Sequence, residues 1–191
     1  EYTKMDKIAE ENGFVVCYPQ GLKDNRTTTH WNANLKISNV DDIGFITELA
    51  TSIEKEYKLS KDKTFVCGMS NGGFMSYTLA MESPDVFEGI ASVTGTMSGI
   101  NWENKENAVP IPVLQIHGNG DRTVPFDGSI TTLGGWGGAP SIPEVVLFWS
   151  TVNDCKVIEK KAIGEKVTAT FYTEGVSNNA VWFYEIEDMD H

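Results

Sequence analysis

Apolar positions along the chain change period repeatedly, and the changes mark its elements. Met5, Ile8 and Ala9 fall at helical spacing within Tyr2 to Asn12, Gly13 reads as the stop, and "FVVCYPQG" after it is apolar enough for a buried strand. Residues Arg26 to Asn39 are polar and read as a loop carrying His30 and Trp31. Asp41 and Asp42 then open a helix whose Ile43, Ile46, Leu49, Ala50, Ile53 and Tyr57 share one face, acidic residues being favoured at the positive end of a helix dipole. "TFVCGM" predicts a second strand, and Asn71 to Glu82 a helix ended by Ser83-Pro84. "GIASVTG" and "VLQIHG" predict two further strands, separated by a loop from Met97 to Pro110. Gly118 to Ser141 is too polar and too broken by Gly and Pro for a core element, Pro143 to Asn153 reads as a helix, and "VTATFY" and "AVWFYEI" close the pattern as strands linked through "TEGVSNNA". Strands separated by helices require parallel crossovers, so the expected fold is α/β, an open and mostly parallel sheet with helices on both faces.

Composition narrows this picture. With 191 residues, 40% of them hydrophobic, residues 1–191 are expected to form one domain with a core of its own. The 15 Lys and Arg against 27 Asp and Glu give a net charge of -12 with no basic cluster, which argues against nucleic acid and anionic membranes as partners. No apolar run approaches the roughly 20 residues of a membrane span. Three cysteines, Cys17, Cys67 and Cys155, make no paired framework; two lie in apolar strand-like runs, where a buried thiol behaves as a small hydrophobe. The cysteines leave the compartment open.

One stretch carries chemistry. In Gly68-Met69-Ser70-Asn71-Gly72 a serine sits between a predicted strand and a predicted helix. That is the context in which G-x-S-x-G becomes a nucleophile elbow, with the serine on a strained turn and the first helical amides beside it. Small residues two before and two after the serine are expected because a Cβ there would collide with the neighbouring strand and helix. A glycine-rich turn of no chemical consequence matches the same five residues, but the flanking strand and helix favour the nucleophile. A serine hydroxyl needs a base, and the base an orienting acid, following in the order acid then His. Of three histidines, His30 precedes the serine and suits a solvent-facing or locally bonded loop residue. His117 suits a satisfied histidine at a strand end, and His191 follows the final strand. Position selects His191. Asp121 is the candidate acid; Asp127, which precedes Gly128, suits a turn cap better.

At these residues the chain resembles the α/β-hydrolase esterases of the feruloyl esterase and polyhydroxybutyrate depolymerase-like group, related to the carbohydrate esterases that deacylate xylan. The resemblance rests on "GFVVCYPQG", Trp31-Asn32, "DDIGFI", "GMSNGGFMSY", "IHGNGDRTVPFDG", "FWSTVNDC" and "FYEIEDMDH", which span almost the whole chain. It implies Ser70 as nucleophile, Asp121 as orienting acid, His191 as general base and acid, and the Asn71 backbone as one oxyanion donor. It implies ester hydrolysis without metal or organic cofactor, and a secreted setting. Loop tryptophans Trp31, Trp102 and Trp136 become candidates for stacking on an aromatic acyl group or a sugar ring of a plant polysaccharide-linked ester. Equally, each suits a residue that covers the core edge.

The chain also departs from the group. Asp188-Met189-Asp190 stands where a glycine-rich turn is usual, and the sequence ends at His191 where a Thr-Trp-Pro-like segment usually follows, so the domain is expected to be C-terminally incomplete and the His191 ring poorly fixed. No cysteine faces Cys155 in "TEGVSNNA", so Cys155 is expected to be unpaired. The resemblance further places a strand, ending in the loop that gives the second oxyanion donor, between "FVVCY" and "TFVCG". Its absence predicts a protein lacking N-terminal strands, part of a longer one, with a hole in the sheet unless a missing N-terminal segment or another chain fills it. A non-catalytic binding protein on a hydrolase fold is the rival expectation from another class, and a polyhydroxybutyrate depolymerase or acetylxylan esterase the rival within the esterases.

Overall fold

A computed structural model describes residues 3–23, 27–35, 38–130 and 137–191. Helices α1 (Met5–Asn12) and α2 (Asp42–Tyr57) lead into β1 (Val66–Met69), α3 (Asn71–Glu82), β2 (Ile90–Val93), the short α4 (Gly99–Glu103) and β3 (Val113–Gly118). Helix α5 (Ile142–Val152) and strands β4 (Val157–Ile163), β5 (Val167–Thr173) and β6 (Val181–Ile186) complete the order. The strands form one sheet in the order β1-β2-β3-β6-β5-β4, parallel from β1 to β6 and antiparallel beyond. This is the mostly parallel α/β sheet that the alternation predicts.

The helix ends follow the sequence signals. Gly13 closes α1 at φ 71°, the left-handed conformation that glycine adopts without a Cβ penalty. The Asp41 side chain accepts the Gly44 N–H at 2.8 Å and starts α2. Ser141 and Glu144 form a capping box that starts α5.

Packing is one-sided. Tyr77 and Ala80 of α3 and Ile142, Val145, Val146 and Trp149 of α5 form one cluster with Ile90, Val113, Val181 and Phe183 of the strands. These strand residues alternate at period 2 and so point to one face. On the other face, where helices were also expected, Trp182 stays 46% exposed and Leu114, Ile116 and Tyr184 are only half-buried.

Three expectations need correction. The run 14–21 is not a buried strand: it has no ladder partner, and Phe14 and Tyr18 are exposed. A strand exists only by pairing its N–H and C=O groups, and no described strand lies between this run and β1. The sheet accordingly has no hole at its centre; it stops at β1, whose outer edge is open and flanked by exposed Phe65. For the same reason Cys17 and Cys67 are exposed rather than buried. Cys155 is free, as expected. Strand β4 and helix α4 carry no strong sequence signal: every β4 residue is exposed, so no alternation of burial marked it. Among the described residues, no helix is long and apolar enough to cross a membrane.

Candidate active site

Ser70 joins β1 to α3 with φ 54° and ψ -119°, a conformation that costs a non-glycine residue on the order of 1–3 kcal/mol. The neighbours over-determine it. The Ser70 N–H donates to Val93 O at 2.8 Å, and Ser70 O accepts the Gly73 and Phe74 N–H groups at 2.8 and 3.1 Å. A Cβ on Gly68 would stand 2.3 Å from the Gly72 backbone, and one on Gly73 would stand 2.6 Å from Ser92 Oγ. Gly72 itself has open space, which corrects the symmetric expectation: of the two flanking glycines only Gly68 is sterically required. Gly68→Ala is therefore expected to lower stability by about 1–3 kcal/mol. Gly72→Ala, in the first turn of α3, should be neutral or stabilising by about 0.5–1 kcal/mol. Urea denaturation of the two variants beside the parent checks both.

His191 lies 2.7 Å from Ser70 Oγ through Nε2 and 2.9 Å from Asp121 Oδ2 through Nδ1. A carboxylate only accepts, so Nδ1 carries the proton and donates to Asp121, which leaves Nε2 to accept the Ser70 hydroxyl proton. Asp121 is buried, 4% exposed, and its other oxygen accepts the Thr123 and Val124 N–H groups, each at 2.8 Å. Positions 70, 121 and 191 are far apart in sequence, yet they meet because β1, β3 and β6 run parallel and end at the same edge.

His117 forms a second, buried layer beneath this array. Tyr77 Oη donates to Gln115 Oε1 at 2.8 Å, so the Gln115 amide nitrogen donates to Gly95 O at 2.9 Å and to His117 Nδ1 at 3.0 Å. His117 Nε2 must then hold the proton, and it donates to Val124 O at 2.9 Å, in the turn that carries Asp121. Burial pushes the His117 pKa down, against the backbone hydrogen bond to Val124 and the Asp121 charge, so the ring is neutral. The unfolded chain takes up a proton at His117 near pH 6.5 that the folded chain refuses, so stability is full above that pH and declines below it. The unfolding free energy is expected to drop by up to about 1.4 kcal/mol per pH unit below pH 6.5 from this group. Denaturation at pH 7.5 and 5.5 should show a smaller difference in His117→Gln than in the parent.

The remaining sequence candidates divide. Asn71 opens α3, where the first amides have no partner within the helix. Its side chain has a role that the sequence did not suggest: Oδ1 accepts the Trp31 N–H at 2.6 Å, and Nδ2 donates to Trp31 O at 3.0 Å. Trp31 is thereby tied to the residue next to Ser70. Asn32 N–H donates to buried Asp42 at 2.7 Å, which anchors the same loop on α2. Trp102 instead packs edge-on against Phe148 with Lys105 over its ring, 4.6 Å from the centroid, and no described contact joins it to Ser70. Trp136 lies outside the described residues. His30 is half-buried, with Nε2 enclosed. Asp127 accepts the Ser129 N–H at 3.0 Å, a turn cap as read. Among the described residues, no group of His, Cys, Asp and Glu is arranged to hold a metal ion.

The His191 ring is not loosely held, contrary to expectation. Asp190 Oδ1 accepts the backbone N–H groups of Arg122 and of His191, each at 3.0 Å, and Oδ2 accepts Arg122 Nε at 2.7 Å as well as a terminal guanidinium N–H. Asp188 N–H donates to Asn119 Oδ1 at 2.9 Å, and Met189 O packs where a Cβ on Gly118 would stand, which glycine alone permits. Nothing local in the sequence marks Arg122 and Asp190, 68 residues apart, as partners.

A serine on a strand-turn-helix elbow, above the end of a mostly parallel sheet with His and Asp from later strand ends, is the arrangement of the α/β-hydrolase fold. Comparison with known proteins agrees: residues 41–133 match the phospholipase/carboxylesterase family. Feruloyl esterase C of Emericella nidulans is 33% identical over 101 residues, 52% of this chain and 36% of that protein. The bifunctional acetylxylan esterase/xylanase XynS20E of Neocallimastix patriciarum is 24% identical over 125 residues, 65% of this chain and 17% of that protein. In fold, the chain matches the acetyl xylan esterase from Aspergillus awamori at TM-score 0.65 and 15% identity, over 98% of this chain and 76% of that one. The chain is thus similar to feruloyl and acetylxylan esterases, and it spans little more than a third of the length of the first curated relatives it matches.

Proposed function

We propose that this chain is the catalytic part of a serine carboxylesterase that cleaves feruloyl or related plant cell-wall esters. The observation that carries the reading is the unbroken line from Ser70 Oγ through His191 to buried Asp121, at 2.7 and 2.9 Å. In the acylation step Ser70 Oγ bonds to the ester carbonyl carbon while His191 Nε2 takes the hydroxyl proton. The N-terminal amides of α3, that of Asn71 first, stabilise the oxyanion. Collapse breaks the bond to the alcohol, which leaves with the proton held on His191, and Asp121 stabilises the transient imidazolium without itself taking the proton. A water molecule then repeats the sequence on the acyl-serine and restores Ser70. These steps draw on no metal or organic cofactor.

Similarity to relatives named feruloyl esterase favours an aromatic acyl group, for which Trp31, held beside the elbow, offers a stacking face. Similarity to relatives named acetylxylan esterase favours acetate as the alternative acyl group. Polymer-linked esters of either kind lie outside the cell that uses them, so the proposal carries a secreted location.

The test is hydrolysis of methyl ferulate, p-nitrophenyl acetate and acetylated xylan by the 191-residue chain. Ferulate release at a kcat/KM above that for acetate supports the feruloyl reading, and deacetylation alone moves the assignment to acetylxylan. No turnover of any of the three by folded protein refutes the esterase reading and favours a binding role.

A further inference from the structure

We propose that Arg122 and Asp190 act as a positioning clip for the imidazole of His191. The inference rests on the reading of Ser70, His191 and Asp121 as the reacting array, and it adds two residues that touch neither substrate nor the reacting atoms. The geometry is a closed ring. Arg122 follows Asp121 in sequence, His191 follows Asp190, and the two dipeptides are joined at both levels: Asp121 to His191 by their side chains, Arg122 to Asp190 by a guanidinium and a backbone amide. The His191 N–H is a fourth donor to the Asp190 carboxylate. One carboxylate thus fixes the main chain on both sides of the His191–Asp121 hydrogen bond, at the step nearest the ring.

The charge chemistry suits this role. The hydrogen bonds from Arg122, then those from the two backbone amides, hold the Asp190 carboxyl well below the usual carboxylate range, so the clip is fully charged at neutral pH. Arg122 brings a planar fork to the carboxylate, a geometry that lysine lacks. The Arg122 side chain is 85% exposed and that of Asp190 42%, so solvent screens the pair and its part in global stability is small. Its effect is local, on where the ring stands. Upstream, Asn119 and Gly118 already seat Asp188 and Met189, so loss of the clip frees Asp190 and His191 rather than the whole segment.

The experiment uses the full chain with ¹⁵N-labelled histidine, at pH 7.5 and low temperature. A proton on His191 Nδ1 that donates to a carboxylate resonates far downfield and is shielded from exchange with water; its loss in His191→Gln assigns it. The clip predicts that Arg122→Ala and Asp190→Asn each lose or broaden this resonance, with thermal midpoints within about 2 °C of the parent, as expected for an exposed pair. Arg122→Lys should restore it in part. Ester turnover by the two variants should fall by about 10–100-fold in kcat with KM changed less than twofold, since misplacing a reacting group by about 1 Å costs up to 10²-fold. The double variant should be no worse than either single one.

A wild-type spectrum without the resonance, or one that survives both substitutions unchanged, overturns the clip. So does loss of the resonance only in variants that unfold. The two readings fail separately: an Arg122-dependent resonance in a chain that cleaves no ester keeps the clip and sinks the esterase, and Ser70-dependent turnover untouched by Arg122→Ala does the reverse.

Discussion

Ester hydrolysis by the Ser70→Ala variant is expected to fall by on the order of 10⁴-fold or more, to the level of the sheet edge without a nucleophile. In the proposed mechanism the acyl-enzyme cannot form without Oγ, and no other described hydroxyl lies within hydrogen-bond distance of His191 Nε2. A fluorophosphonate probe should add its mass to the parent chain and not to the variant. The fold should survive the change. Ser70 Oγ makes no cap bond to α3, and alanine inherits the same φ of 54° at the same backbone cost. A thermal midpoint within about 2 °C of that of the parent is therefore expected. Probe incorporation into folded Ser70→Ala would remove this serine from the mechanism.

Asp121→Asn is the second large effect, a loss of about 10⁴-fold in kcat with the array's geometry nearly intact. The backbone N–H groups of Thr123 and Val124 still find an oxygen in asparagine, so the turn is kept. At the other position an amide N–H now faces His191 Nδ1, which can only accept it. The ring is forced into the Nε2–H tautomer, a donor toward Ser70 that cannot take its proton. The neutral amide also removes the charge that stabilises the imidazolium. Steady-state kinetics on p-nitrophenyl acetate checks the loss, and the far-downfield Nδ1 resonance should vanish at the same time. A variant that keeps more than a tenth of parental kcat would show that His191 is oriented by something other than Asp121.

Much of the fold was readable because its elements carry local signals. The apolar face of α2, the glycine stop of α1, the Ser83-Pro84 end of α3 and the apolar runs of β2, β3 and β6 each announce themselves within a dozen residues. The strand expected at 14–21 failed for the opposite reason: an apolar run is half of a strand, and the other half is a neighbour to pair with, which lies elsewhere in the chain or not in it at all. Strand β4 was invisible because a fully exposed edge strand has no buried face to set a period of two.

The site divides along the same line. By itself, the sequence determined the chemistry on offer: a serine in a strand-to-helix turn, few histidines and the order in which an acid and a base follow. Those depend on residue type and local backbone. Only the tertiary structure decided that Ser70, Asp121 and His191 converge, because parallel strands bring positions 121 residues apart to one edge. It also decided that His191 is held through Arg122 and Asp190, that His117 is buried and neutral, and that the Asn71 side chain grips Trp31. Hydrogen bonds and desolvation act over a few ångströms in space, and no pattern along the chain records which distant groups will share them.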